Sequence, residues 1–566
     1  MRLPVALLSG VAAAVVAALP LAFLGHGLGE LHGVIALASL CFGIITATLV
    51  RGMIPVEEAQ VKKAQFPTSF WEWLMIGVFA SASARAFFWL IYADGDLWKV
   101  LSPNNLGDMS LHLAFIRWMA ATAHWWPASP ILSGDPLRYP PGSDLFNSLL
   151  VNAGVPVIQG LLWCGLGGAA LTGYALWRWG RCMAFAALLC NGGLAGIVLL
   201  KGGDPDAVAE WKNLFLTLFV TQRGFLFSLP AGLLLLTAWR EENFGNEGKV
   251  ILPFPVQILL LAVMPLFSVH SALFLGVAMV GVALFSPSES SRLKLLRVAL
   301  VAWPLMAFFG WLVTTGAGGP SAVHALGWQP GWMSDGSLQF WFWNFGIALP
   351  LGLALCCLLM RANASREGRA FVWPSACVFL ICLFVRFAPW AWDNTKLMLW
   401  SWIVIAPYLW RLLIVRWPMA LRIATLLLLF GSGAVTLEAG LDGRHGYELI
   451  KLSVLNETAW ILQNLPPDAV IACAPEYNHP VLLLGHPVVA GYEGHLWSHG
   501  LDYQGRWTAL NSVMMGEPGW GQKARGLRAS YIYWSSLEAA RWPESKLPWA
   551  KETAPSLHRV EGGGGG

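Results

Sequence analysis

Asp, Glu, Lys and Arg make up only 12% of this 566-residue sequence, so the places where charged and ionisable side chains gather are informative. Asp108 and His112 stand four residues apart at the start of a run, Asp108 to Ala123, that lacks Gly and Pro. On a helix they share one face near its N-terminus, where the helix dipole favours an ionised carboxylate. A carboxylate beside an imidazole is proton-transfer chemistry. Asp94 and Asp96, separated by Gly95, could hold a divalent cation or form a solvated turn. Arg223 interrupts an apolar run. A charge at such depth must face a cavity, where it can hold an anion, or pair with an acid such as Asp204, Asp206 or Glu210. Arg386 and Lys396 flank a loop containing Trp390, Trp392 and Asp393. Two cations suit an anion clamp, and indoles and a carboxylate suit the faces and hydroxyls of sugars, although tryptophans also anchor membrane interfaces.

Other candidates are more scattered. His270 sits at a turn between two apolar runs, where it lines a cavity or caps a helix. Arg85 lies inside an apolar run and needs a partner. His124 and His324 are candidate lining residues. A late stretch dense in Gly, His and Tyr carries Tyr492, His495 and His499, a composition suited to recognising a ligand. Ser498, His499 and Asp502 are sequence neighbours without a Gly-x-Ser-x-Gly elbow, which argues against a hydrolase triad. His495 and His499 have metal-ligand spacing only on a helix, and the glycines around them argue against one. Of nine cysteines only Cys473 falls in the late region, so no disulfide framework is available there.

The elements that must position these residues are membrane spans. Hydrophobic residues make up 56% of the chain and 32 residues are Trp, with a mean hydropathy of +0.58, which excludes a soluble multidomain protein. A net charge of +4 from 36 basic and 32 acidic residues is too balanced for a nucleic-acid partner. Taking about 20 apolar residues per span, the sequence predicts an α-helical polytopic membrane protein of about 13 transmembrane helices. They fall near 5–24, 33–50, 71–93, 145–176, 182–200, 213–239, 250–268, 270–286, 298–314, 340–360, 370–386, 397–415 and 418–437. The predicted domains are a transmembrane unit 1–437 with a large outer loop 94–144, a small α/β domain 438–560 and a Gly-rich tail 561–566. The α/β domain is expected to open with a helix from Tyr447 to Leu465, followed by strands at Ala469–Cys473 and Ala529–Trp534. With a cytoplasmic N-terminus, most basic loop residues lie inside and the α/β domain lies outside the cytoplasm, as the positive-inside rule asks. All twelve Asp and all twelve His then fall on the outer side.

Within the outer loop, Asn104 to Gly107 reads as a turn and Asp108 to Ala123 as a helix lying in the interface plane, with Leu111, Phe115 and Trp118 along one stripe. Trp125, Trp126 and Pro127 end it, and Pro136, Pro140 and Pro141 stiffen the chain that follows. An acid opening a juxtamembrane helix, the Arg117-Trp118-Met119 helix end, a Trp-Pro break, and Leu137-Arg138-Tyr139-Pro140-Pro141-Gly142 running into a span together resemble the first outer loop of GT-C glycosyltransferases. The closest likeness is to the protein O-mannosyltransferase and lipid A aminoarabinose transferase branch. The resemblance covers about 45 residues, and this chain departs from it in having two spans ahead of the one that feeds the loop.

The resemblance implies an inverting transferase that moves a sugar from a polyprenyl-phosphate-linked donor to a protein, lipid or polysaccharide acceptor at the extracytoplasmic face. Asp108 takes the family position of the catalytic base. No general acid is required, because phosphate is already a good leaving group. Arg223, Arg386 and Lys396 become the donor-phosphate ligands. His112, Arg138, Tyr139, His270, Trp392 and Asp393 become substrate contacts. Tyr492, His495 and His499 become acceptor-recognition residues, and Asp94 with Asp96 the site of any divalent cation. Two other readings of the same sequence are a flippase for a lipid-linked glycan and a non-enzymatic scaffold of glycan assembly.

Overall fold

A computed structural model describes residues 2–25, 29–49, 67, 69–122, 126–191, 193–204, 209–245, 251–316, 327–328, 338–443, 446–552 and 554–560. His124, His324, Asp206 and the tail 561–566 lie outside the described residues. Five helices are long and apolar enough to cross a membrane: Arg2–Ala22, Val157–Leu189, Glu289–Thr315, Ala391–Arg416 and Met419–Asp442. A sixth is added if Leu338–Phe345 and Ala348–Met360, which meet at 85°, form one broken span. His32–Thr48, Phe254–Phe267 and Val269–Phe285 are apolar but shorter.

Several predicted spans divide differently. The two expected around the Arg178–Arg181 loop form one element, Val157–Leu189, with a kink at Arg181 (φ 49°). The pairing of Arg181 with Glu72, Nη1 to Oε1 at 2.5 Å, helps hold a backbone conformation that non-glycine residues rarely adopt. The run predicted at 213–239 is broken after the π-helical Phe215–Phe219 and resumes as Phe225–Phe244. Thr221–Gly224 is therefore a turn, and Gly224 is required there because a Cβ would stand 1.9 Å from the Phe267 carbonyl oxygen. Gly142 meets the same chain segment: its Cβ would lie 2.7 Å from the Leu266 oxygen. These two glycines let three backbones converge at one place.

A polar seam fixes the packing of the bundle. Trp400 is fully buried, stacks on Phe274 with centroids 5.4 Å apart and donates to Ser271 Oγ at 2.9 Å. Ser271 donates in turn to Ser228 at 3.1 Å. One satisfied chain of donors thus ties Phe225–Phe244, Val269–Phe285 and Thr395–Tyr408 together.

The region after 438 holds α and β elements but is woven into the outer loop. Tyr92–Asp94 and Leu97–Val100 form a hairpin, and Leu97–Val100 pairs antiparallel with Tyr447–Lys451. The helix expected from Tyr447 therefore starts only at Leu452, running to Leu462, because the hairpin edge recruits the first five residues as a strand. A second sheet orders Ile471–Ala472, Tyr531–Trp534 and Ser556–Arg559, matching the two predicted strands at shorter length. Leu132 bridges to Ala490, Arg117 donates to the Leu483 oxygen at 2.8 Å, and Arg506 pairs with Asp135 at 2.8 Å.

The outer-loop helix spans Asn104–Ala121, one turn earlier than predicted, so Asp108 stands in its second turn rather than at its N-terminus. It is also buried on most of its surface. The expected interface-plane helix is instead covered by Gly142–Asn152 on one side, where Ser148 Oγ donates to the Ile116 oxygen at 2.9 Å, and by the late region on the other.

Candidate active site

These elements enclose a cavity of about 230 Å³. Its walls come from Asn104–Ala121, the 138–144 segment, the Gln222–Phe225 turn, the N-terminus of Val269–Phe285, the 387–396 loop and residues 495–499.

Asp108 lines the cavity half-buried and accepts a hydrogen bond from Gln222 Nε2 at 3.1 Å. Burial pushes its carboxyl above the usual range, against the pull of Lys396 and the Gln222 bond. Its partner in the structure is thus a neutral amide, with no cation in salt-bridge contact among the described residues. One turn on, His112 is buried and its Nδ1 lies 2.9 Å from both oxygens of Asp144, itself 1% exposed. A carboxylate only accepts, so Nδ1 carries the proton. His112 Nε2 has no partner among the described residues.

Lys396 pairs with Asp393 at 3.0 Å, and both line the cavity. On the same cavity, Ser268 caps Val269–Phe285 by accepting from Ser271 N, which sets Ser268, Val269 and His270 on the wall. The backbone N–H groups at such a helix start favour an anion. His270 Nε2 is also without a partner among the described residues.

Tyr139 stands between three rings, with centroids 6.0 Å from His112, 5.4 Å from Phe115 and 5.1 Å from His499. Burial raises its phenol above the ordinary value, helped by the nearby carboxylates. Arg138 lines the cavity 3.8 Å from Asp135. Burial pushes His495 down to about 4 and His499 down to about 3, so both imidazoles are neutral at pH 7. Gly107 makes room for His495, whose Nε2 would lie 3.2 Å from a Cβ there.

Nine of the candidates therefore meet at one cavity: Asp108, His112, Arg138, Tyr139, His270, Asp393, Lys396, His495 and His499. Six do not line it. Arg223, expected as a phosphate ligand, is 1% exposed and turns into the bundle, donating to the Leu161 oxygen at 2.7 Å. Depth did demand a partner, but a helix carbonyl supplies it. Arg386 holds a two-residue strand pairing with Gly327, and its neighbours Phe387 and Ala388 reach the cavity instead. Trp392 faces away and donates to the Glu210 oxygen, whereas Trp390 lines the wall and contacts Trp392 and Trp497. Tyr492 is exposed, packed edge-on to Tyr477 and His495.

Asp94 pairs with Lys99 at 2.6 Å, and Asp96 accepts from Ser453 N and Oγ at the hairpin. Those carboxylates do not form the expected cation site, and among the described residues no three His, Cys, Asp or Glu side chains converge as metal ligands. Ser498 donates to the His495 oxygen, which removes it from any triad. Arg85 caps the end of Met419–Asp442, donating to the Leu441 and Asp442 oxygens.

Two site residues escaped sequence reasoning. Asp144 follows Pro-Pro-Gly at a helix start and reads as an ordinary N-terminal acid. The signal for it was indirect: a buried His112 requires an acceptor. Gln222 lay beside the more conspicuous Arg223.

No family model matches the chain, and no relative is found among curated proteins. Among solved structures, ArnT from Cupriavidus metallidurans bound to undecaprenyl phosphate has a TM-score of 0.47 at 13% identity, over 88% of this chain and 99% of its own. The Archaeoglobus fulgidus oligosaccharyltransferase in its apo form has a TM-score of 0.46 at 12% identity, over 86% and 72%. AglB of that organism, in complex with an inhibitory peptide and a dolichol-phosphate, has a TM-score of 0.40 at 14% identity, over 85% and 72%. Likeness at this level leaves the function to be judged from the chain's own residues and geometry.

Proposed function

We propose that the chain is an inverting glycosyltransferase of the GT-C type that takes a sugar from a polyprenyl-phosphate donor. The observation that carries this reading is Asp108: a carboxyl raised by burial, opening onto a cavity that also holds Lys396 and a helix N-terminus. Such a carboxyl is suited to accepting a proton from a hydroxyl. In the proposed step, Asp108 takes the proton of the acceptor hydroxyl and that oxygen bonds to the anomeric carbon. The bond from that carbon to the phosphate oxygen breaks on the opposite face, and its electron pair leaves with the phosphate. Lys396 and the N–H groups at the start of Val269–Phe285 hold the departing anion. Tyr139 and Trp390 supply faces for the sugar. Residues 438–560 act as the roof that carries acceptor recognition, through His495 and His499.

In this reading the N-terminus is cytoplasmic and the cavity opens on the extracytoplasmic side, where Asp and His are concentrated. The test is turnover of a polyprenyl-phosphate sugar by Asp108→Asn protein that folds normally, where an unchanged rate removes the base. Transfer of lipid-linked sugar between leaflets with no new glycosidic bond removes the transferase reading altogether.

A further inference from the structure

Behind His112 lies a buried polar row that the proposed step leaves unused. Among the described residues Asp144 has His112 as its only side-chain partner, and Ser143 beside it donates to the Arg223 oxygen at 3.0 Å. Buried Arg223 has its guanidinium within electrostatic reach of the Cys164 thiol and, more weakly, of Asp144. Among the described residues no carboxylate comes within salt-bridge distance of its guanidinium, whose Nε and Nη1 have no hydrogen-bond partner. Among the described residues neither Asp144 nor Arg223 has another fixed counter-ion, so the two opposite charges balance each other. Asp144 then needs no second positive charge from the imidazole. It holds Nδ1–H, and the lone pair of Nε2, buried on a residue that lines the cavity, is left unfilled among the described residues.

Resting on the proposed function, we infer that His112 Nε2 accepts a hydrogen bond from a hydroxyl of the transferred sugar, with Asp144 as its positioning residue and Arg223 as the counter-charge behind Asp144. The ligand group is a hydroxyl rather than the phosphate, because a lone pair accepts a proton and repels an oxyanion. This accounts for the unpartnered Nε2 and gives Arg223 a role that its orientation allows.

The test compares two probes on the full-length protein, undecaprenyl phosphate and undecaprenyl-phosphate-glucose. The native protein is expected to bind the glucose form more tightly. His112→Phe should lose this increment, on the order of tenfold, with the affinity for undecaprenyl phosphate unchanged, and His112→Gln should recover part of it through its amide oxygen. Asp144→Asn should move the proton to Nε2, because an amide can donate to Nδ1; since it also removes the counter-charge of Arg223 and lowers the melting temperature, the tautomer rather than the affinity is its readout. Selective ¹⁵N-histidine labelling reads that tautomer without any ligand. An imidazolium at His112 in the native protein at pH 7, or His112→Phe weakening both probes equally or neither, overturns the inference. Failure of the native protein to bind either probe overturns the proposed function instead.

Discussion

Phe225–Phe244 runs between two polar regions that treat charge differently. Phe225 lines the cavity and Glu241 lies roughly 24 Å along the helix at about 1.5 Å per residue. At the Glu241 end three acids have a base, Arg178 with Glu241 at 2.7 Å, Arg181 with Glu72 at 2.5 Å and Arg411 with Glu367 at 2.8 Å, and Glu242 is filled by Ile251 N, Leu252 N and the Gln257 amide. Arg240 donates to the Trp179 and Arg178 oxygens and lies over the Trp179 ring at 4.5 Å. At the cavity end Asp108 has only an amide, and His112, His270 and His495 each keep a ring nitrogen without a partner among the described residues. Both ends hold buried ionisable groups, so burial alone does not mark a site. What distinguishes the cavity end is that three imidazole nitrogens are left unfilled around one enclosed space, whereas near Glu241 it is the Asn243 amide oxygen that lacks a partner among the described residues.

The comparison breaks most readily at Asp108. Asp108→Asn is expected to lower turnover on the order of a thousandfold while leaving the melting temperature unchanged or higher, since the replaced carboxyl is one that burial disfavours in its charged form. A parallel fall in both would make Asp108 part of the framework. Lys396→Met should cost about a hundredfold in turnover, comparable to losing one donor to a developing charge. If kcat stays constant and only KM for the donor rises, Lys396 binds without aiding departure. At the far end the pattern reverses. Glu72→Gln should cost about 2 kcal/mol of stability, less than the roughly 3–5 of a fully buried pair because Arg181 stays half-exposed, with unchanged turnover per folded molecule. Thermal unfolding in detergent beside the transfer assay separates the two effects.

The smallest expected effect is on pH. Burial holds His499 at about 3 and His495 at about 4, below the ordinary 6.5. As pH falls below 6.5 the unfolded chain gains protons that the folded one refuses. Their contribution to stability is complete above 6.5 and lost progressively toward those lower values. Melting should be flat from pH 8 to 7 on their account and should decline toward pH 4.5, with a shallower decline in His499→Gln. An identical slope in that variant would show that the roof does not sense its imidazoles.

Much of the cavity could be read from spacing. The i, i+4 relation put Asp108 and His112 on one face, the Arg138-Tyr139 segment leads into the wall, and Lys396 with Asp393 sits where its loop predicts. What could not be read depends on partners distant in sequence. Nothing near Asn104–Ala121 announces that residues beyond 480 cover it, and Tyr447–Lys451 has helical neighbours until the hairpin at Leu97–Val100 is placed beside it. Arg223 shows the same limit in miniature. Its depth correctly required a partner, but whether that was a ligand or the Leu161 carbonyl was settled by a turn that hydropathy reads as continuous span.

The strand pairing of Tyr447–Lys451 with Leu97–Val100 has a consequence for how the protein is made. Asp108 leaves the ribosome long before His495 and His499, and synthesis of the intervening chain takes roughly 20–80 s at about 5–20 residues per second. During that interval the helix carrying Asp108 has neither its strand partner nor its roof. An apolar segment meant for burial thus stays uncovered by its own late residues until synthesis is nearly complete.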